Sequence, residues 1–417
     1  MEIKLTEKEQ ERYAIIRPCI NGAMTNKEAA HRLGLTIRQV QKIKRAVRRD
    51  GTVGIRHGAC GKASSNATKS QVAVKVKNFL AQKQHRDFGP TFAKEQLEKN
   101  GIILSTETIR SLMIRNHFWQ VHARRRPQIH REWRERMESY GMLVQFDGSY
   151  HDWFETGTEA CLLAAIDDAT GKIIKAVFED NEGVLAVFRF WKAYIEAYGR
   201  PVAIYLDKFS TYKVNHKNAV DNAEMMTQFQ RTMEELSITV ICANSPEAKG
   251  RVERLFGTLQ DRLVKEMRLA HMQTRALAND FLHTAYIPDH NQRFSVAPRK
   301  DIDAHRPLTE VMREKLSSIF SVQSQRKVHN DYTVQFKTRW FQLNAIQQTT
   351  VYKGDAVILE ERLDGTLHIR LKHTYLHYTE LPDRPKPILM KVTVLTRKKP
   401  TWIPPKNHPW RNDFLKN

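Results

Sequence analysis

The stretch 142–154, MLVQFDGSYHDWF, begins with the run MLVQF and ends that run on a carboxylate, Asp147. The same reading applies to 202–212, VAIYLDKFSTY, where VAIYL leads into Asp207. A third acid, Glu253, stands in 244–263, NSPEAKGRVERLFGTLQDRL. There Val252, Leu255, Phe256, Leu259, Leu263 and, further on, Met267 recur at helical spacing. They predict an amphipathic helix with Glu253 at the border of its apolar stripe. Short apolar runs bounded by polar turns predict strands. A carboxylate therefore follows each of two buried strands and a third lies on a helix, at intervals of 60 and 46 residues.

Outward from these strings, residues 141–270 alternate in period. Strands are predicted over 142–146, 161–166, 173–178, 202–206 and 238–242, and helices over about 183–198, 219–236 and 248–269. Three strands followed by alternating helices and strands is the order of the ribonuclease-H-like α/β fold, a mixed sheet with helices on both faces.

A chain of 417 residues is too long for one core, so a multidomain protein is expected. Residues 1–50 predict a helix-turn-helix. Thr25 with Glu28 and Thr36 with Gln39 make two capping boxes, and Ala29, Ala30, Leu33, Leu35, Val40 and Ile43 supply a small core around the turn at Gly34. The second helix turns Arg38, Gln41, Lys42, Lys44 and Arg45 outward, a face suited to a major groove with phosphates along its rim. Residues 51–70 are rich in Gly, Ser and basic residues and read as a linker. A second helical module fills 71–120, with Pro90 opening one helix, Gly101 ending it and Ser105 capping the next; its string FGPTFAKEQLEKNGIILSTETIRSLMIRNHFW resembles a winged-helix or helix-turn-helix unit. The connector 121–140 carries Arg124, Arg125 and Arg126 ahead of Pro127 and reads as a phosphate-tracking arm. Residues 271–325 are helical and connective, with Pro288, Pro298 and Pro307 as breakers. In 326–381 the period changes to two around an Asp364–Gly365 turn, which predicts a small antiparallel β-barrel. The remainder, 382–417, is a basic, Pro-rich tail.

Charge supports this division. The chain holds 68 Lys and Arg against 46 Asp and Glu, a net +22, which points to a polyanionic partner. Residues 1–140 hold 29 basic and 13 acidic residues, 141–270 hold 15 and 19, and 271–417 hold 24 and 14. A mildly acidic middle between basic flanks fits a metal-binding core held onto nucleic acid by its neighbours, and the major-groove face of residues 1–50 makes double-stranded DNA the expected partner. Cys19, Cys60, Cys161 and Cys242 are scattered and form no CxxC pair, which implies neither a disulfide framework nor a cysteine zinc site; His117, His122 and His130 are read as solvated or DNA-facing. No signal peptide or membrane span is recognisable. A cytoplasmic protein is expected, on the nucleoid when bound to DNA.

The strings around Asp147, Asp207 and Glu253 resemble the integrase core of transposases and retroviral integrases, with their Asp, Asp, Glu triad. Taken with the flanks, the chain is similar over nearly its whole length to bacterial insertion-sequence transposases of the group called ISNCY. The resemblance implies catalysis by these three acids through two Mg²⁺ ions, with Mn²⁺ able to substitute; Asp147 bridges both ions while Asp207 and Glu253 each hold one. It also implies binding to terminal inverted repeats, 3′-end cleavage, strand transfer into target DNA, and at least a dimer on DNA. Asn244, Ser245, Lys249, Gly250 and Arg251 make a polar approach to the Glu253 helix, where Lys249 and Arg251 are assigned phosphate contacts. Relatives often place Lys or Arg seven residues after the glutamate; here that residue is Gln260, and Arg254 or Arg262 are the substitutes. Among other acids, Asp152, Asp167 and Asp168 lie near strand ends, Asp167 and Asp168 as turn residues, and Glu247 suits a helix start. Two other functions remain open: a DNA-binding regulator that has lost catalysis, and a structure-selective nuclease.

Overall fold

The computed structural model describes residues 5–57, 68–121, 135–206, 222–242, 250–383 and 405–409, without the side chains of 222–226. It divides into two compact units, Met1–Arg125 and Arg126–Asn417.

In the first unit, α1 (Glu7–Ile20), α2 (Asn26–Leu33) and α3 (Ile37–Asp50) bury Ile16, Cys19, Ala29, Ala30, Val40, Val47 and Ile55 together. Both expected capping boxes form. Thr25 N donates to Glu28 Oε2 at 2.9 Å and Glu28 N to Thr25 Oγ1 at 3.2 Å; Thr36 and Gln39 repeat the exchange at 2.9 and 3.2 Å. Gly34, at φ 63°, takes the left-handed conformation that lets α2 stop and the chain turn. Helix α1 is an addition to the sequence reading and brings its own box, Thr6 with Glu9. After it come α4 (Ser70–Leu80), α5 (Pro90–Lys99) and α6 (Thr106–Arg115), the last capped by Ser105, which accepts from Thr108 N at 3.2 Å.

The second unit is built on a mixed sheet. Its strands are β1 (Leu143–His151), β2 (Ala160–Asp167), β3 (Ile173–Glu179), β4 (Ala203–Leu206) and β5 (Thr239–Cys242), in the order β3-β2-β1-β4-β5. The first three form an antiparallel meander, and β4 and β5 add in parallel beside β1. This is the arrangement expected of a ribonuclease-H-like core. Helices α7 (Val184–Tyr198) and α8 (Asn222–Glu235) cover the face carrying Val144, Phe146 and Ile204. On the other face α9 (Gly250–Leu269), α10 (Arg275–Phe281) and α11 (Ile287–Phe294) pack on Leu162, Ala164 and Phe178. Strand β1 is longer than its apolar run, because β2 pairs with it as far as His151 opposite Ala160.

Strand β3 lies at the sheet edge, where unpaired backbone groups invite association with another chain. Two asparagines cover it. Asn279 accepts from Phe178 N at 2.7 Å and donates to Phe178 O at 3.1 Å; Asn291 does the same for Ile173 at 2.8 and 2.9 Å. Twelve residues apart on a regular helix, these side chains would point about 120° apart. The π-helical turn Leu282–Tyr286 between α10 and α11 absorbs one residue and brings them to within about 20° of one face. Pro288, read as a breaker, does not end this continuous helix; it follows the π-helical turn directly, at the second residue of α11. Asn291→Leu should lower stability by about 1–3 kcal/mol by leaving both Ile173 backbone groups without these partners. Urea unfolding of the full chain, followed through the buried Trp153 and Trp191, checks this; an unchanged midpoint would remove the role of edge cover.

Beyond α12 (Glu310–Ile319) come β6 (Val322–Lys327), β7 (Thr333–Phe336), β8 (Arg339–Leu343), β9 (Ala356–Glu361), β10 (Leu367–Leu371), β11 (Thr374–Leu376) and β12 (Tyr378–Leu381). The Asp364–Gly365 turn joins β9 to β10, with Gly365 at φ 81°. The expected barrel is corrected: among the described residues the strands pair as two separate sheets, β11-β10-β9-β6 and β12-β8-β7. Val334, Phe341, Val357, Leu359 and Ile369 fill the one core they share, so burial is satisfied without closing a single cylinder. The four-stranded sheet is tied to helix α8 of the five-stranded sheet's layer. Gln228 of α8 donates to Gln323 O at 2.6 Å and accepts from Gln323 N at 3.0 Å, and Arg231 donates to Ser321 O at 2.7 Å.

Candidate active site

Alternation along β1 sends Val144 and Phe146 into one core and Gln145, Asp147 and Ser149 toward the opposite face. That face meets α9. Gln145 Oε1 accepts from Val252 N at 3.2 Å, and Ser149 Oγ accepts from Gln260 Nε2 at 3.2 Å. Asp147 stands midway between these two contacts. It lies inside the strand and not just past it, a correction to the sequence reading that follows from the extended pairing with β2.

Helix α9 buries Val252, Leu255, Phe256, Leu259, Leu263 and Met267 as the periodicity predicts. Glu253 occupies its first turn and is exposed. An acid there is favoured by the positive end of the helix. Glu253, Gly257 and Gln260 recur at i, i+4 and i+7 and share a stripe. At Gly257 an added Cβ would meet nothing within 4 Å among the described residues.

Asp207 follows Leu206, the last residue of β4, and lies outside the described residues, as do Asn244, Ser245, Glu247, Lys249, Arg124, Arg125 and Arg126. Among the described residues no three His, Cys, Asp or Glu side chains gather as a metal site. The remaining acids divide cleanly. Asp152 accepts from Thr156 N at 2.9 Å and Gly157 N at 3.0 Å, holding a turn. Asp167 accepts from Gly141 N, Thr170 N and Thr170 Oγ1 at 2.9, 2.7 and 2.6 Å; burial pushes its carboxyl up, against the pull of those hydrogen bonds. Asp168 is 0% exposed and accepts from Met137 N and Gln145 Nε2, each at 2.9 Å. Cys161 belongs to the core, where burial, aided by Glu182, holds its thiol up at about 12.

Two assigned DNA contacts are placed differently. Arg251 stands with Nε 3.4 Å from Asp168 Oδ1 and its side chain 14% exposed, turned to the buried carboxylate instead of outward. Lys44 is half-buried and donates to Asn26 Oδ1 at 3.0 Å, joining α3 to α2. Arg38, Gln41, Lys42 and Arg45 are exposed on α3 as expected. Of the two substitutes for a base at Gln260, Arg262 lies 5.3 Å from the Phe294 ring centre and Arg254 is exposed in the first turn of α9. Sequence reasoning missed Gln145; its signal is a lone amide within an apolar strand, two residues before the first acid.

No helix among the described residues is long and apolar enough to cross a membrane. No family model matches the chain. Among solved structures, it is similar to a simian T-cell lymphotropic virus intasome chain (TM-score 0.31, 16% identity, 74% of this chain and 99% of that one). It is also similar to the HTLV-2 integrase catalytic core domain in complex with magnesium (TM-score 0.27, 18% identity, 34% and 82%). Among curated proteins, the transposase for insertion sequence IS1202 of Streptococcus pneumoniae is 25% identical, over 97% of this chain and 93% of that protein. The y4bF protein of Sinorhizobium fredii, which carries a transposase name, is 37% identical over 381 residues, 90% of this chain and 81% of its own length. With relatedness of that extent joined to this core, the chain belongs to the DDE-type DNA transposases of insertion sequences.

Proposed function

We propose that Asp147, Asp207 and Glu253 are the metal-holding acids of this transposase, cutting the 3′ ends of its element and joining them to target DNA. The observation that carries the reading is the bracketing of Asp147. Its neighbours at 145 and 149 are tied to Val252 and Gln260, so the strand that bears Asp147 and the turn that bears Glu253 are held together. Strand β4 pairs with β1 at an offset of 60 residues, Leu143 with Ala203 through Gln145 with Tyr205. Asp207 follows Asp147 by the same 60.

The donor set fits Mg²⁺, which takes hard oxygen ligands and keeps several waters. Gly257, one turn beyond Glu253 on α9, leaves the helix surface bare there, where a phosphate can approach. Two divalent ions held by these acids would supply activation of the attacking oxygen and stabilisation of the leaving 3′-oxygen. The chain's part is positional. Asp147, on a paired strand, gives a rigid central ligand. Glu253 reaches from a helix turn with one more methylene. Arg254, exposed beside Glu253, takes the phosphate role that Gln260 cannot. Lys249, Arg124, Arg125 and Arg126 are assigned phosphate contacts on sequence alone. Water and then the freed 3′-hydroxyl serve as nucleophiles. Two ends must be brought together, so at least a dimer acts on DNA.

Recognition of the ends is assigned to the helix-turn-helix α2–α3 in 1–50, with 71–120 as a second DNA-binding module and 326–381 serving assembly. Replacing Arg38 and Lys42 with Ala should weaken binding to the terminal repeats, by about 1–3 kcal/mol for each that reads a base. Gel-shift titration on repeat and scrambled DNA measures it; equal affinity in the variant would move recognition elsewhere. The function itself is tested by incubating the protein with Mg²⁺, its element ends and a target plasmid. Covalent 3′-end joining is expected, whereas binding alone or cutting without joining would overturn the proposal.

A further inference from the structure

We propose that Gln145, with Asp168 and Arg251, is the positioning device that fixes the Glu253 helix against Asp147 and so sets the spacing of the two carboxylates. The inference rests on the reading of those acids as metal ligands.

Gln145 is 0% exposed and uses both ends of its amide. Its Nε2 donates to Asp168 Oδ1 at 2.9 Å, and its Oε1 accepts from Val252 N at 3.2 Å. Only one orientation of the amide satisfies this pair, because a carboxylate offers an acceptor and a backbone N–H a donor. The Val252 N–H is among the first four of α9, which have no acceptor within their own helix. Gln145 therefore caps the helix from across the site. Val252 precedes Glu253, and Gln145 lies two residues before Asp147 on the same face. One side chain thus ties together the backbones that carry both acids.

Asp168 holds Gln145 in turn. Its Oδ2 accepts from Met137 N at 2.9 Å, and Arg251 Nε lies 3.4 Å from its Oδ1. A second tie thus runs from the turn after β2 to the first turn of α9. Burying a carboxylate, a guanidinium and an amide is costly, and an apolar trio of like volume would pack at least as well. What apolar packing lacks is a fixed register. Mg²⁺ demands near-ideal octahedral geometry at 2.0–2.1 Å, so a slide of α9 too small to unfold the protein would still spoil the site.

The test compares Gln145→Leu, Gln145→Glu, the double variant Gln145→Glu/Asp168→Asn, and Glu253→Gln in the full chain on end DNA. Three readouts are taken: Mn²⁺ affinity by electron paramagnetic resonance, joining under Mg²⁺ or Mn²⁺, and the thermal unfolding midpoint. Gln145→Leu should bind Mn²⁺ about 10-fold more weakly and join about 100-fold more slowly under Mg²⁺, the range found when partners of metal ligands are removed. Under Mn²⁺ the joining defect should shrink. Gln145→Glu sets two buried carboxylates against each other and should be at least as impaired. The double variant restores a donor facing an acceptor between positions 145 and 168 at unchanged net charge but takes from Arg251 the carboxylate it pairs with, and should recover metal affinity and joining in part.

Wild-type metal affinity and Mg²⁺ joining in Gln145→Leu would overturn the inference. So would a double variant no better than Gln145→Glu at equal thermal stability, a comparison that decides the matter even if Gln145→Leu fails to fold. If Glu253→Gln kept both metal affinity and joining, the triad reading itself would fall. Loss in Glu253→Gln beside wild-type behaviour in Gln145→Leu would sink the positioning role alone.

Discussion

Asp147→Asn, Asp207→Asn and Glu253→Gln should each abolish cleavage and joining while binding to the terminal repeats stays within a few-fold. Each change keeps the side chain's shape and replaces an anionic oxygen by an amide. A lost ligand removes several kcal/mol of stabilisation of transition-state charge, which corresponds to about 10³-fold or more in rate. The fold should survive. Asp147 is only partly buried and Glu253 is exposed, so neither amide enters a sealed interior. Binding is assigned to the N-terminal unit, whose exposed Arg38, Gln41, Lys42 and Arg45 do not depend on the acids. The decisive comparison is joining and gel shift on the same preparations. Substantial strand transfer by any one variant would remove that residue from the triad.

Removing divalent metal should have an effect as large. With EDTA in excess, joining is expected to fall to background and to return with Mg²⁺, or with Mn²⁺ as a more tolerant substitute. The donor chemistry explains the choice: three carboxylates favour hard ions over zinc. Repeat binding should persist through chelation, because it runs through Lys and Arg contacts to phosphate and base edges. Joining that continues in EDTA at the untreated rate would exclude metal-dependent chemistry by these acids.

Much of the fold was legible because burial imposes period. The strands over 161–166 and 173–178 were visible as short apolar runs and the stripe of α9 as a repeat of three to four, and the structure returns them nearly unchanged as β2, β3 and α9. Capping boxes at Thr25 and Thr36 were readable for a related reason: both partners lie within one helical turn. Helix α1 was not, since Pro18 sits inside it and reads as a stop. Asp147 looked like a residue beyond a strand because DGSYH has little strand character of its own. Pairing with β2 makes it one. The barrel failed for the opposite reason. Alternation predicts strands and which side they bury, but whether their edges close is decided by pairings between distant residues, here β6 with β9 and β12 with β8.

The site divides the same way. Asp147, Asp207 and Glu253, the proposed acids, were picked out one by one from their local settings. The ties among Gln145, Asp168 and α9 join residues 23 and 107 positions apart, and no local pattern announces them. Arg251 shows the cost of that blindness. As a basic residue beside Glu253 it was given to phosphate, while its buried partner Asp168 was read as a plain turn acid.

The most direct measurement is manganese anomalous scattering from crystals of the end-bound complex. The account predicts two peaks about 4 Å apart, with Asp147 between them and Asp207 and Glu253 one on each. Peaks elsewhere, or ordered ions that touch none of the three acids, would contradict it.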